Sequence, residues 1–169
     1  LTGMKLLVPS VDLIEVRSRA AGDPFTLPVQ AIAGLLEFDP NEPERHRVRV
    51  RGTVTLHAAG HLFIADDSGG LAVRTATAER FVPGDVVDAV GFPGTGESAA
   101  ELQDALVRRA GRGTLPRASL ATVEDALGGG LHATLVTIDA RLLSGVLQSE
   151  GEWVLTLRAD DQVFTAVLS

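Results

Sequence analysis

Four arginines, Arg45, Arg47, Arg49 and Arg51, recur at every second position. On a β-strand that spacing places them on one face, with Val48, Val50 and Val54 on the other. Guanidinium groups fork phosphate or carboxylate through two parallel hydrogen bonds, so such a stripe could bind an anion. The same face could instead pair across strands with Asp85, Asp88 or Asp104. Twenty-two acidic residues against 15 basic ones favour that pairing. Phe63 and Arg74 stand on two further short segments, so Arg49, Arg51, Phe63 and Arg74 form the candidate ligand-binding set. Single-strand recognition leans on stacked aromatics, each worth roughly 1–3 kcal/mol per base. Only Phe63 is available here, and the net charge of −7 opposes a phosphate backbone. Nucleic acid is therefore disfavoured as a partner.

Other strings with chemical content reduce to turns. Asp66-Asp-Ser-Gly-Gly70 resembles the serine-protease sequence around the nucleophile, but that chemistry needs a base and an orienting acid on a larger scaffold. His57 and His61 are nearby, yet a hairpin tip between alternating strands explains the string. The oxygen spacing of a calcium loop is absent. His57-Ala-Ala-Gly-His61 would suit zinc only on a helix carrying an accompanying Glu, and Gly60 marks a turn instead. Gly91-Phe-Pro-Gly-Thr-Gly96 lacks the Gly-Lys-Ser/Thr ending of a phosphate cradle and reads as a loop in which Phe92 caps the barrel. No pair of groups suggests general acid–base work. The sequence thus predicts no catalytic residue, no metal and no cofactor.

Composition sets the frame for these residues. At 169 residues with 45% hydrophobic and 22% charged positions, the chain is globular rather than disordered. No run approaches the roughly 18 apolar residues that span a bilayer, and no secretory leader opens it. Leu1 is not an initiator, so the chain reads as part of something longer. Cys is 0, which excludes a disulfide scaffold and thiolate chemistry. Lys5 is the single lysine against 14 arginines, a bias that genome composition can produce.

The elements follow from alternation and glycine punctuation. Arg47–Leu56 is a strand interrupted at Gly52, where a strand bulges or bends. Leu62–Ala65 and Leu71–Arg74 flank the Asp66–Gly70 cluster as a hairpin. Asp85–Val90 and Leu102–Arg109 complete five strands in about 65 residues, the signature of a small closed barrel. The pattern then repeats. Ser10–Arg17 with its Leu27-Pro28 connector matches Leu102–Arg109 with Leu115-Pro116, and a helix-like stretch follows each, at Val29–Leu36 and Leu120–Leu127. Thr122 and Asp125 could cap the second. A long strand comes next in each case, Val48–Leu56 and Ala133–Leu143. Trp153–Val167 then repeats the hairpin, with Ala159-Asp160-Asp161 standing where Ala65-Asp66-Asp67 stood, and Trp153 and Phe164 in its core.

Three parts result: 1–44, the last strand and connector helix of one unit; 45–116, a complete barrel; and 117–169, the helix and first three strands of another. Pro40–Arg45 is the most linker-like boundary. Either the chain continues past Ser169, or residues 10–17 come round to complete the last sheet.

Val50-Arg-Gly-Thr-Val-Thr55, Leu62-Phe-Ile-Ala-Asp-Asp-Ser-Gly-Gly-Leu-Ala-Val73, Gly84-Asp-Val-Val-Asp-Ala-Val-Gly-Phe-Pro93 and Leu102-Gln-Asp-Ala-Leu-Val-Arg-Arg-Ala-Gly111 resemble an oligonucleotide/oligosaccharide-binding (OB) fold. They are similar, more particularly, to tandem OB-like repeats in the extracytoplasmic sensory region of bacterial signalling proteins of the sensor histidine kinase or diguanylate cyclase type. The match is close over 47–116, with a weaker echo over 117–169. The resemblance implies a mainly β, OB-like five-stranded barrel with flanking partial units and short connecting helices. It implies a non-catalytic sensory or interaction module, periplasmic or otherwise extracytoplasmic, anchored to a membrane only through segments outside this chain. A cytoplasmic placement is the alternative. The partners would be neighbouring OB-like repeats and an unidentified small ligand or protein. The alternatives are a single-strand-binding OB domain and an OB accessory domain of a secreted nuclease, before whose phosphodiesterase domains similar strings occur.

Overall fold

The computed structural model describes residues 7–15, 22–36, 47–58, 60–96, 100–148 and 151–168. Strand β2 (Val48–Ala58) is the long alternating segment, with Val50 and Val54 fully buried and Arg51 in water. Its first half runs antiparallel to β5 (Asp85–Thr95), from Val48 opposite Gly91 to Thr53 opposite Val86. Its second half pairs with β3 (His61–Asp66). The change of partner falls at Thr53, which pairs with both strands, beside Gly52, where a Cβ would stand 3.1 Å from the Ala65 oxygen. Glycine lets the two backbones approach there. The bulge itself lies further on, at Thr55, which has no partner between Val54 and Leu56.

β3 turns through Asp67-Ser68 into β4 (Gly69–Arg74). β4 lies parallel to β6 (Ala100–Arg112), and β6 returns antiparallel to β5. The order β2-β3-β4-β6-β5 closes through the β2–β5 pairing into a five-stranded barrel. β1 (Val29–Gln30) lies outside it, parallel to β2 at Arg49 and Val50. This closed order is that of an OB-like barrel, which leaves no unpaired edge around the core.

Val50, Val54, Leu62, Ile64, Leu71, Val73, Val87, Ala89, Leu102 and Ala105 fill the barrel. Two plugs join them. Ile32 comes from α1 (Ile32–Leu36), whose first N–H groups donate to the β3–β4 turn: Ile32 to Asp66 Oδ2 at 3.0 Å and Ala33 to Ser68 Oγ at 3.0 Å. Phe81 comes from the 75–84 loop, its N–H donating to His57 Nδ1 at 3.3 Å.

Beyond the barrel, β7 (Ser119–Leu120) pairs parallel with β8 (Val136–Thr137) around α2 (Val123–Leu127). Thr122 and Asp125 close a reciprocal capping box on α2, as their spacing predicts. β9 (Arg141–Leu147), β10 (Trp153–Ala159) and β11 (Gln162–Leu168) form an antiparallel meander.

Several expectations are corrected. Within 10–17, Val11–Leu13 is an exposed 3-10 turn capped by Ser10 rather than a strand, and residues 16–17 lie outside the described residues. Among the described residues this segment adds no strand to the last sheet. The helical stretches shrink to Ile32–Leu36 and Val123–Leu127, because Val29–Gln30 and Ser119–Leu120 extend to pair with neighbouring strands. The long strand expected over Ala133–Leu143 breaks in two, and Ala133 adopts a left-handed φ of 56°. Gly91–Thr95 continues β5 instead of forming a loop, since it finds partners in Ala100–Gln103. Phe92 lies beneath the Arg47 guanidinium, 5.1 Å from its ring centroid. Trp153 is 43% exposed, which removes it from any core. The boundary at 44/45 and the linker Pro40–Arg45 lie outside the described residues.

Candidate functional site

Arg49 and Arg51 share the outer face of β2, as their spacing requires, and both end on Asp88. Arg51 lies opposite Asp88 in the strand register and forks it, Nε to Oδ1 at 2.8 Å and a terminal nitrogen to Oδ2 at 3.1 Å. Arg49 reaches the same Oδ2 at 2.9 Å and also donates to the carbonyls of Phe25 and Leu27. Arg108 stacks 4.2 Å from the centroid of the Phe25 ring and ion-pairs with Asp23 at 3.7 Å. The cluster therefore fastens the 23–28 connector to the barrel wall. Burial alone would raise the Asp88 carboxyl, but the bonds from Arg51 and Arg49 outweigh it and hold Asp88 below the ordinary carboxylate range. Arg45, the fourth arginine of the stripe, lies outside the described residues.

A second clamp centres on Asp85, which is fully buried. The Val82 N–H and Arg109 both bond its carboxylate, with Arg112 3.5 Å away, and they hold it below its ordinary value. Arg109 also bonds the Arg80 carbonyl and lies 5.0 Å from the Phe81 ring centroid. It ties down the loop that carries the Phe81 plug.

Phe63 and Arg74 belong to a different patch. On the outer face of β3 and β4, His61 stands opposite Arg74, Phe63 opposite both Leu56 and Ala72, and Ala72 opposite Glu101 of β6. Glu101 is only 7% exposed. Arg74 Nε lies 3.2 Å and His61 Nε2 3.5 Å from its Oε1. The His61 and Phe63 ring centroids are 6.4 Å apart. The structure thus divides the candidate set in two: Arg49 and Arg51 at Asp88, Phe63 and Arg74 beside Glu101. Leu56, His61 and Glu101 complete the second group and were not in the candidate set. Alternation within β3 could have placed His61 beside Phe63. Glu101 becomes visible only through the parallel β4–β6 contact, which joins segments about 30 residues apart.

The patch offers a half-buried aromatic ring and an exposed aliphatic side chain, Phe63 and Leu56, beside a guanidinium held by a buried carboxylate. It can stack a planar group and exchange its Arg74–Glu101 contact for one to an anionic ligand. Among the described residues no group of three His, Asp or Glu side chains is placed to hold a metal. Asp66 and Ser68 of the protease-like string are occupied in turn and helix-cap bonds: Asp66 accepts from Ser68, Gly69 and Ile32. His57 and His61 lie on adjacent strands, with His57 turned toward Phe81 and His61 toward Glu101.

No protein-family model matches the chain, and no curated protein does. The solved structure of the hypothetical protein YgiW from E. coli is similar with a TM-score of 0.41 at 16% identity, over 50% of this chain and 92% of that one. So low a score carries no argument, and the OB-like assignment rests on the strand order itself.

Proposed function

We propose that this chain is a non-catalytic interaction module in the extracytoplasmic sensory region of a bacterial signalling protein of the sensor histidine kinase type. The barrel is a rigid support. Its Leu56–His61–Phe63–Arg74–Glu101 face meets a small ligand or a protein partner, and the connectors pass that contact to neighbouring OB-like units. The observation that carries this reading is the fate of the arginines. Arg49 and Arg51 are held at Asp88, and Arg109 at Asp85, so charge of the kind that grips a phosphate backbone instead holds a connector and a loop in place. Contact between segments is what this sequence builds. Residues that only position backbone are also what a module without chemistry of its own requires.

The test uses the full-length gene product with alkaline phosphatase inserted after Ser169, a reporter active only outside the cytoplasm. Active reporter is the expected result. A silent reporter beside an active cytoplasmic one overturns the extracytoplasmic placement.

A further inference from the structure

The C-terminal meander leaves an apolar face in water. Trp153 pairs with Leu147 and Leu168, Leu155 with Gly145 and Ala166, and Leu157 with Leu142 and Phe164, which puts all of them on one side of the sheet. A Cβ at Gly145 would lie 3.2 Å from the Leu155 side chain and 3.6 Å from that of Trp153, so both lean over it. Leu142, Leu147 and Leu168 are more than half exposed. Three strands gain independent stability in water from a hydrophobic face only when something covers it.

The barrel shows what covers such a face. Its own β2–β3–β4 meander has the same design, with a two-residue turn at Asp67-Ser68 matched by Asp160-Asp161. The repeat read from sequence is thus displaced by one residue, and Asp66 corresponds to Ala159. Aligned on the turns, the buried Leu62, Ile64, Leu71 and Val73 correspond to Leu155, Leu157, Phe164 and Ala166. The bulge agrees as well: Thr55 lacks a partner in the first meander and Leu143 in the equivalent place of the second. A short parallel strand pair and a one-turn helix accompany each, β1–β2 with α1 and β7–β8 with α2. In the barrel, Val87, Ala89, Leu102 and Ala105 of the β5–β6 hairpin cover the face, and the two hairpin strands take up both meander edges. In the second meander, the outer edges of β9 and β11 have no partner strand among the described residues.

We propose that the β9–β11 face is the docking site of a β-hairpin with alternating apolar side chains, a chemical counterpart of residues 85–112. One of its strands runs antiparallel along β8 and β9 and the other parallel to β11, closing a second barrel. This rests on the reading of the chain as an interaction module and names a partner for it. A second copy of the chain fits less well. Three seven-residue strands present roughly 14 by 23 Å, well short of the ~800 Å² each partner gives to a stable dimer. Face-to-face stacking would also leave both edges open, whereas an added hairpin satisfies their backbone groups.

Trp153 is the single tryptophan, and the chain has no tyrosine, so its fluorescence reports on this face alone. The chain is compared with a version extended after Ser169 by a copy of residues 75–112, a tether that holds the hairpin at roughly millimolar effective concentration. In the chain itself, Trp153 emission should be that of an exposed indole, easily quenched by acrylamide and independent of protein concentration. In the extended version, emission should shift to the blue and quenching fall severalfold. Leu157→Asp should abolish that change, and Val163→Asp, on the opposite face, should leave it intact. Equal quenching of Trp153 in both chains overturns the proposal. So does a blue shift in the chain itself that grows with concentration alongside a dimer in sedimentation equilibrium, which would make a second copy the cover. Neither readout depends on compartment, so this test and the reporter test fail independently.

Discussion

Arg51 stands directly opposite Asp88 in the β2–β5 register and forks both of its carboxylate oxygens. Arg49, two residues earlier, reaches past it to the same carboxylate and on to the carbonyls of Phe25 and Leu27. One carboxylate thereby joins two barrel strands and a connector. Asp88→Asn should destabilise the chain by about 2–4 kcal/mol, less than the ~3–5 kcal/mol of breaking a fully buried pair because the Arg51 guanidinium is half exposed. Urea denaturation of the variant beside the parent measures this. An unchanged midpoint would show the clamp to be energetically idle.

Acid should unfold the protein through these same groups. Asp88 is lowered by Arg51 and Arg49 against the opposing effect of burial, and Asp85 by the Val82 N–H and Arg109. A folded value below the unfolded one, ~3.9 for Asp, gives stability that is fully present above the unfolded value and lost as pH falls through the folded one. Thermal midpoints should therefore hold level from neutral pH to about 5 and drop below about 4. Asp88→Asn should flatten the acid limb of that curve. A parent whose midpoint rises on acidification would contradict the depressed carboxylates.

Phe81 plugs the barrel from a loop with no regular structure and is 4% exposed. Phe81→Ala should cost about 3–5 kcal/mol, the usual range for a buried aromatic. Hydrogen exchange should show the loss of protection concentrated in 75–84 and the adjoining end of β2. A loss below about 1 kcal/mol would mean that the loop does not close the core.

At Gly91 a Cβ would stand 2.7 Å from the Gln103 oxygen and 2.9 Å from Leu102 Cγ, where β5 and β6 coil over a bulge. Gly91→Ala should destabilise by about 1–3 kcal/mol as overpacking against backbone. Gly22→Ala meets nothing within 4 Å and is the matched control. Comparable midpoints for the two variants would remove the close approach as a constraint.

Labelled single-stranded oligonucleotides should show no saturable anisotropy change with this chain at about 0.15 M salt, because Arg49, Arg51 and Arg109 are held by Asp88 and Asp85 and the net charge of −7 opposes a phosphate backbone. Binding that weakens steeply as salt is added would favour single-strand recognition over the interaction module.

The barrel strands were legible because they alternate. Val50 and Val54 against Arg49 and Arg51, or Leu62 and Ile64 against His61 and Phe63, state in the order of residues which side is core. Local chemistry was legible too: the Thr122–Asp125 capping box and the presence of both hairpins are settled within a few residues of chain, although the turns tighten to two residues, Asp67-Ser68 and Asp160-Asp161, and shift the expected match by one position. The extent of β5 beyond Gly91, the shortness of both helices and the exposure of Trp153 were not. Each depends on whether a distant segment arrives to pair with it or cover it.

The sequence by itself determined the period, the turns and the composition of each face, because these arise from the geometry of a few neighbouring residues and from the aversion of apolar groups to water. Only the tertiary structure decided which carboxylate each arginine meets and that Glu101 lies beneath Arg74. It alone divided the candidate ligand residues into two places. Closing a barrel fixes the register between strands tens of residues apart, and that register assigns the partners.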